Sequence, residues 1–203
     1  MEKIIKLNNK INKIIILFSI VVSLYYLYNG YYFDSLKRLI IIPIVLAPDF
    51  IRKVFKKDFN HILQLMFIPF IFFAWYLGDA INIYNKLNGY DKVIHTIFGI
   101  LSSFLAFFIM KHYKIYNKYN FTFNIIFIVS FTLAFGSIWE MFEFTWDKIL
   151  GTNEQGVVET GVDDTMYDLI VAFLGTSIFC ISYYYELFFR KKLIITKYIN
   201  LLD

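Results

Sequence analysis

Residues 121–142 read FTFNIIFIVSFTLAFGSIWEMF, and no charged side chain interrupts them before Glu140. A helix crossing a bilayer needs about 20 predominantly apolar residues. The stretch from Phe121 to Glu140 has that length, so it predicts a transmembrane helix that ends at a carboxylate. It shows no strict alternation of apolar and polar residues, which excludes the strand of an outer-membrane barrel.

The rest of the 203-residue chain repeats this pattern. Its composition is 59% hydrophobic and 21% aromatic with a mean hydropathy of +0.58, more apolar than a soluble domain. Further apolar runs cover Ile11–Tyr28, Leu36–Phe50, Ile62–Tyr84, Lys92–Met110 and Tyr167–Phe189. The second carries Pro43 and Pro48, which membrane helices tolerate when neighbours satisfy the freed carbonyls. The expected fold is all-α: a polytopic transmembrane bundle of about six helices, one integral membrane domain over residues 1–203, with an extracytoplasmic loop at 143–166.

Lys3, Lys6, Lys10 and Lys13 precede the first run as they would in a secretory signal. Tyr25, Tyr26 and Tyr28 stand where small cleavage-site residues belong, so the run reads as a retained helix. The lone Cys180 has no disulfide partner in the chain. The net charge of +4 is spread over separate helix junctions, which argues against nucleic-acid binding. Fifteen of the twenty lysines and arginines fall in alternate junctions: the N-terminus, 52–57, 111–118 and 190–197. By the positive-inside rule these are cytoplasmic, with both termini inside.

The acidic residues divide the other way. Eleven of sixteen fall on the expected outer side: Asp34, Asp79, Asp91, Glu140, Glu143, Asp147, Glu154, Glu159, Asp163, Asp164 and Asp168. Carboxylates contribute little to topology, so the excess needs its own explanation. Asp91 and His95 are four residues apart, Glu140 and Glu143 three, Asp164 and Asp168 four, and each pair can share a helical face. Three such faces at one level would form a carboxylate-rich pocket with one imidazole. That chemistry suits Mg²⁺, Mn²⁺, Ca²⁺ or Zn²⁺, with Glu140, Glu143, Asp164, Asp168, His95 and Asp91 as ligands. It equally suits an acid/base site built on Glu140, His95 and Asp164. Lys92, beside Asp91, is placed to recognise a phosphate.

Structural readings stand beside these. Asp91 and Asp164 suit helix N-caps, and Thr165 with Asp168 resembles a capping box. Glu140 and Glu143 are expected at a helix C-terminus, where the helix dipole disfavours them and capping explains nothing. The segment from Asp147 to Asp163, with Gly151, Gly156 and Gly161, can turn back over the helix ends as a lid or form a plain hairpin loop. Trp75, Trp139 and Trp146 with Tyr76, Tyr84 and Tyr90 read as an interfacial aromatic belt. Gly99 with Ser103, and Ala172 with Thr176, mark close helix packing.

The ordered polar positions Gly78-Asp79, Tyr90-Asp91-Lys92-Val93-Ile94-His95, Trp139-Glu140-Met141-Phe142-Glu143, Asn153-Glu154-Gln155 and Asp164-Thr165-Met166-Tyr167-Asp168-Leu169 resemble those of the YjdF-like inner-membrane proteins. That family looks distantly similar to the VanZ-like group. The resemblance implies a bacterial or archaeal plasma-membrane protein and supplies no reaction. Three function classes follow from the residues: a metal-dependent or acid/base site acting on an envelope lipid or lipid-linked headgroup, a cation transporter or channel, and a non-catalytic envelope scaffold.

Overall fold

The structure is a computed structural model and describes residues 1–55, 60–80, 82–116, 120–151, 153, 155 and 157–201, without the side chains of Phe55, Asp79, Ala80, Asn85, Val157, Glu159, Asn200 and Leu201. Glu154 and Gly156, and the side chains of Asp79 and Glu159, therefore lie outside the described residues. Every regular element among the described residues is a helix, and five segments are long and apolar enough to cross a membrane: Glu2–Tyr28, His61–Gly78, Tyr90–His112, Phe121–Leu150 and Asp163–Phe188. The chain divides into two compact units, residues 1–90 and 91–203.

The first unit is built on α1 (Glu2–Tyr28), α2 (Tyr32–Leu39), α3 (Ile41–Phe55) and α4 (His61–Ile71), which continues into a π-helical segment, Phe72–Ala80. A short helix α5 (Ile83–Lys86) follows. The expected span at 36–50 is not one helix, because the chain breaks at Ile40 between α2 and α3. The break falls where Pro43, lacking an N–H, cannot bond the carbonyl of Leu39. The two pieces nevertheless return along α1. Ser23 bonds Ser35 (2.9 Å between hydroxyls), Asn12 Nδ2 donates to the Val45 carbonyl (3.4 Å), and Asn8 Nδ2 donates to the His61 carbonyl (2.8 Å). Walking down α1 thus matches walking forward through α2 and α3, and the bent pair runs antiparallel to α1 over most of its length.

The second unit contains α6 (Tyr90–His112, entering the unit at Asp91), α7 (Phe121–Leu150), α8 (Val157–Thr160), α9 (Asp163–Phe188) and α10 (Ile194–Leu201). Its helices are apolar outside, and inside they bury small and polar residues together with large ones such as Phe107, Met110 and Phe179, small residues being the ones that let helices approach closely in lipid. Ile126, Ile138, Ile178 and Ile181 are each more than half exposed, whereas Ser102, Ser103, Thr132 and Thr176 are fully buried. α6 and α9 touch backbone to backbone. A Cβ at Gly99 would collide with the Ala172 carbonyl oxygen, and one at Gly175 with the Thr96 carbonyl oxygen. Thr176 Oγ1 donates across this contact to the Gly99 carbonyl (3.2 Å). Close packing at Gly99, Ser103, Ala172 and Thr176 is borne out. At the other end of α9, the buried Glu186 carboxylate accepts the first free amides of α10, from Ile195 (2.9 Å) and Thr196 (2.7 Å), satisfying donors that a helix start leaves open.

Two boundaries differ from expectation in ways that matter for the site. α7 extends past Phe142 to Leu150, closed by Gly151 in the left-handed region (φ 68°), so the segment expected as loop 143–166 is helical at both ends. α9 begins at Asp163, before the apolar run. Hydropathy marks where lipid contact stops, and these helices continue beyond it.

Gly99→Ala should therefore lower the thermal unfolding midpoint of the detergent-purified protein, by an overpacking cost of about 1–3 kcal/mol. An unchanged midpoint in circular dichroism would contradict the backbone contact between α6 and α9.

Candidate functional site

The N-terminal turns of α6 and α9 meet at the end of the second unit where α7 finishes. Lys92, third residue of α6, reaches across to α9. Its ammonium donates to Asp164 Oδ1 (2.6 Å), Asp168 Oδ1 (2.8 Å) and Asp91 Oδ2 (2.9 Å). An ammonium has three donors, and all three are taken by carboxylates. The expectation that Lys92 receives a phosphate is thus not met by this arrangement, because an anion would first have to displace an aspartate.

His95, one turn after Asp91, sits behind the ion cluster and is largely buried. Its Nε2 lies 3.6 Å from Asp91 Oδ1 and 3.9 Å from Asp168 Oδ1. Asp91, His95 and Asp168 each offer a ligand atom, and these atoms all lie within 4.8 Å of one another. Two ligands of one ion at about 2.1 Å and a tetrahedral angle are roughly 3.4 Å apart. The two histidine-to-carboxylate distances exceed that by only a few tenths of an ångström.

Neither Asp164 nor Asp168 is a helix cap. The N-cap position is Val162, which makes no side-chain cap bond, and Asp164 and Asp168 point to Lys92 instead. The capping-box reading of Thr165 with Asp168 fails for the same reason.

α7 supplies Glu140 from the side. Since the helix runs on to Leu150, Glu140 and Glu143 are not at its C-terminus, and the dipole argument does not apply to them. Glu140 is only 5% exposed. Thr165, Asp91, Asp164 and Lys92 act on its carboxyl group, while its Oε2 is buried with no hydrogen-bond partner among the described residues. The half-buried Glu143 accepts the Trp139 indole N–H on Oε1 (2.7 Å), and the charges acting on it include Glu140, Asp168 and Asp91.

Sequence reasoning missed what holds Glu140 in place. The buried Gln155 donates from Nε2 to the Glu140 main-chain carbonyl (3.4 Å) and to Thr165 Oγ1 (3.2 Å). Its own N–H donates to Asp147 Oδ2 (3.0 Å). One glutamine thereby ties the α7–α9 connection to both helices. Its place in a polar glycine-bearing segment is visible in the sequence, but its burial is not.

A family model described as a predicted membrane protein of the DUF2238 family matches residues 11–187, and the chain belongs to that family, in agreement with the YjdF-like resemblance. It is 27% identical over 130 residues to an uncharacterised protein of Thermotoga maritima, a match covering 64% of this chain and 65% of that protein. No solved structure matches the chain.

Gln155→Ala should release the connection without unfolding the bundle. Hydrogen–deuterium exchange would be expected to rise across 157–168 and stay unchanged in the middle of α6. Equal exchange in both proteins would show that Gln155 does not secure it.

Proposed function

We propose that the polar end of α6, α7 and α9 binds a divalent cation and uses it to act on the headgroup of an envelope lipid or lipid-linked substrate. The observation that carries this reading is the convergence of Asp91, His95 and Asp168 around one point. Two carboxylates with one imidazole are a donor set suited to manganese or zinc. Charge balance supports the same reading. Asp91, Asp164 and Asp168 face a single ammonium, and carboxylates at membrane depth are costly unless compensated. A dication supplies the two missing positive charges, and a neutral imidazole ligates it without adding any.

In this scheme Asp91, His95 and Asp168 hold the ion, which polarises a headgroup oxygen. Glu140, buried and with Oε2 unpartnered among the described residues, accepts or returns the proton. Trp139, Phe142 and Trp146 are 46%, 51% and 40% exposed along α7 beside it and suit the level of lipid headgroups. The transport reading has less behind it. Between the cluster and Glu186, α6, α7 and α9 carry no further acidic residue to continue a cation path.

The orientation belongs to the same proposal. The basic junctions place both termini in the cytoplasm of a bacterial or archaeal plasma membrane and the cluster on the outer face. Equal sidedness of the termini requires that α2 and α3 together make one crossing, which suits their antiparallel path along α1. In a cysteine-free background, Cys180→Ser, a cysteine at Val162 should react with a membrane-impermeant maleimide in intact cells, and one at Lys114 only after lysis. The reverse pattern would invert the topology.

Elemental mass spectrometry on detergent-purified protein, prepared without chelator, should find stoichiometric manganese or zinc that is lost in Asp168→Asn. Glu140→Gln should keep the metal while turnover of a radiolabelled envelope-lipid extract falls about 100-fold, the scale of one general acid/base group. Absence of metal from wild type would defeat the cation-dependent reading.

A further inference from the structure

We infer that Lys92 is a built-in competitor of the cation site: its ammonium holds Asp91 and Asp168 until a divalent ion takes them, and then stays with Asp164 alone. The inference rests on the cation reading above and specifies how that site is regulated.

The geometry gives the two cations overlapping claims. Asp91 and Asp168 belong both to the ligand group with His95 and to the set bonded by Lys92. Asp164 belongs only to the second, and at 2.6 Å it is the closest of the three carboxylates to the ammonium. An ion entering at His95 therefore competes for two partners and leaves one. Three aspartates then stand against one ammonium and one dication. Exposure sets the direction of travel. The Asp168 side chain is 5% exposed, and those of Lys92 and Asp164 32% and 27%, so the lysine can withdraw toward solvent with Asp164 while Asp168 stays buried with the ion. A lysine suits this exchange because its charge is a point at the end of a flexible stem.

A second observation points to a ligand independently of the aspartates. Among the described residues, Glu140 Oε2 is buried without a donor in a residue 5% exposed, and the charges acting on Glu140 include Asp91, Asp164 and Lys92. Lys92 cannot supply that donor while its three hydrogens are on Asp91, Asp164 and Asp168. A water carried on a bound ion can, because coordination leaves both of its hydrogens free to donate.

The experiment uses Mn²⁺ as the probe and the full chain in detergent, with free Mn²⁺ followed by electron paramagnetic resonance. Removing the competing charge in Lys92→Met should lower the Kd for Mn²⁺ about tenfold or more relative to wild type, as a nearby like charge is lost. Asp168→Asn should abolish binding in the same assay. Wild-type binding with an unchanged or weaker Kd in Lys92→Met would overturn the competitor role and leave the cation site standing. No binding by wild type or Lys92→Met would overturn both.

If Lys92→Met does not fold, acylation of wild type decides the matter. Saturating Mn²⁺ should raise labelling of Lys92 about threefold or more relative to Lys10, as the ammonium gives up two of its three bonds. Labelling that is unchanged or reduced would overturn the role.

Discussion

The site depends on how closely α6 and α9 approach each other. Without side chains at Gly99 and Gly175, the two helices pack main chain against main chain, and the small buried residues Ser103, Ala172 and Thr176 keep the interface narrow. In α6, Lys92 lies about two turns before Gly99 and His95 about one, and in α9 Asp168 lies about one turn before Ala172. A lysine stem bridges the two helices with bonds of 2.6–2.9 Å only because their axes are held this close. In lipid, where apolar surfaces gain nothing by leaving the solvent, such close contact of small residues is what associates helices. The packing therefore determines the electrostatics.

The electrostatics in turn explain why the end of the unit is built as it is. Three aspartates crowd one ammonium, Glu140 adds a fourth carboxyl from α7, and Gln155 anchors the chain between α7 and α9 against both. Buried polar atoms without a partner among the described residues occur elsewhere too, at Asn12, Ser102, Asn124 and Thr132, so it is the acidic excess that sets this end apart. Here an acidic excess and the orphan oxygen of Glu140 sit together, beside the imidazole of His95.

Much of the fold was legible in the sequence because lipid is a simple solvent. Long apolar runs and the distribution of lysine and arginine placed the spans, and Gly99, Ser103, Ala172 and Thr176 marked the contact that matters. The break at Ile40 followed from Pro43, although the sequence suggested a continuous helix there. The extension of α7 to Leu150 was not legible, since residues 143–150 mix charges with aromatics and leave the apolar pattern while remaining helical. The candidate site was legible as a list and not as an arrangement. Spacing within a helix put Asp91 with His95 and Asp164 with Asp168, but the register between helices decided the partners. That register gave Lys92 to the aspartates, turned Glu143 to Trp139, and buried Glu140 beside Thr165.

The central claim is that Asp91, His95 and Asp168 hold a divalent ion while Lys92 retreats to Asp164. Anomalous diffraction at the manganese edge, from crystals grown in a lipid mesophase and soaked in Mn²⁺, tests it most directly. The account predicts a peak within bonding distance of those three side chains, with Lys92 Nζ still bonded to Asp164 and released from the other two. A structure with Lys92 bridging all three aspartates and no anomalous peak among them would contradict it.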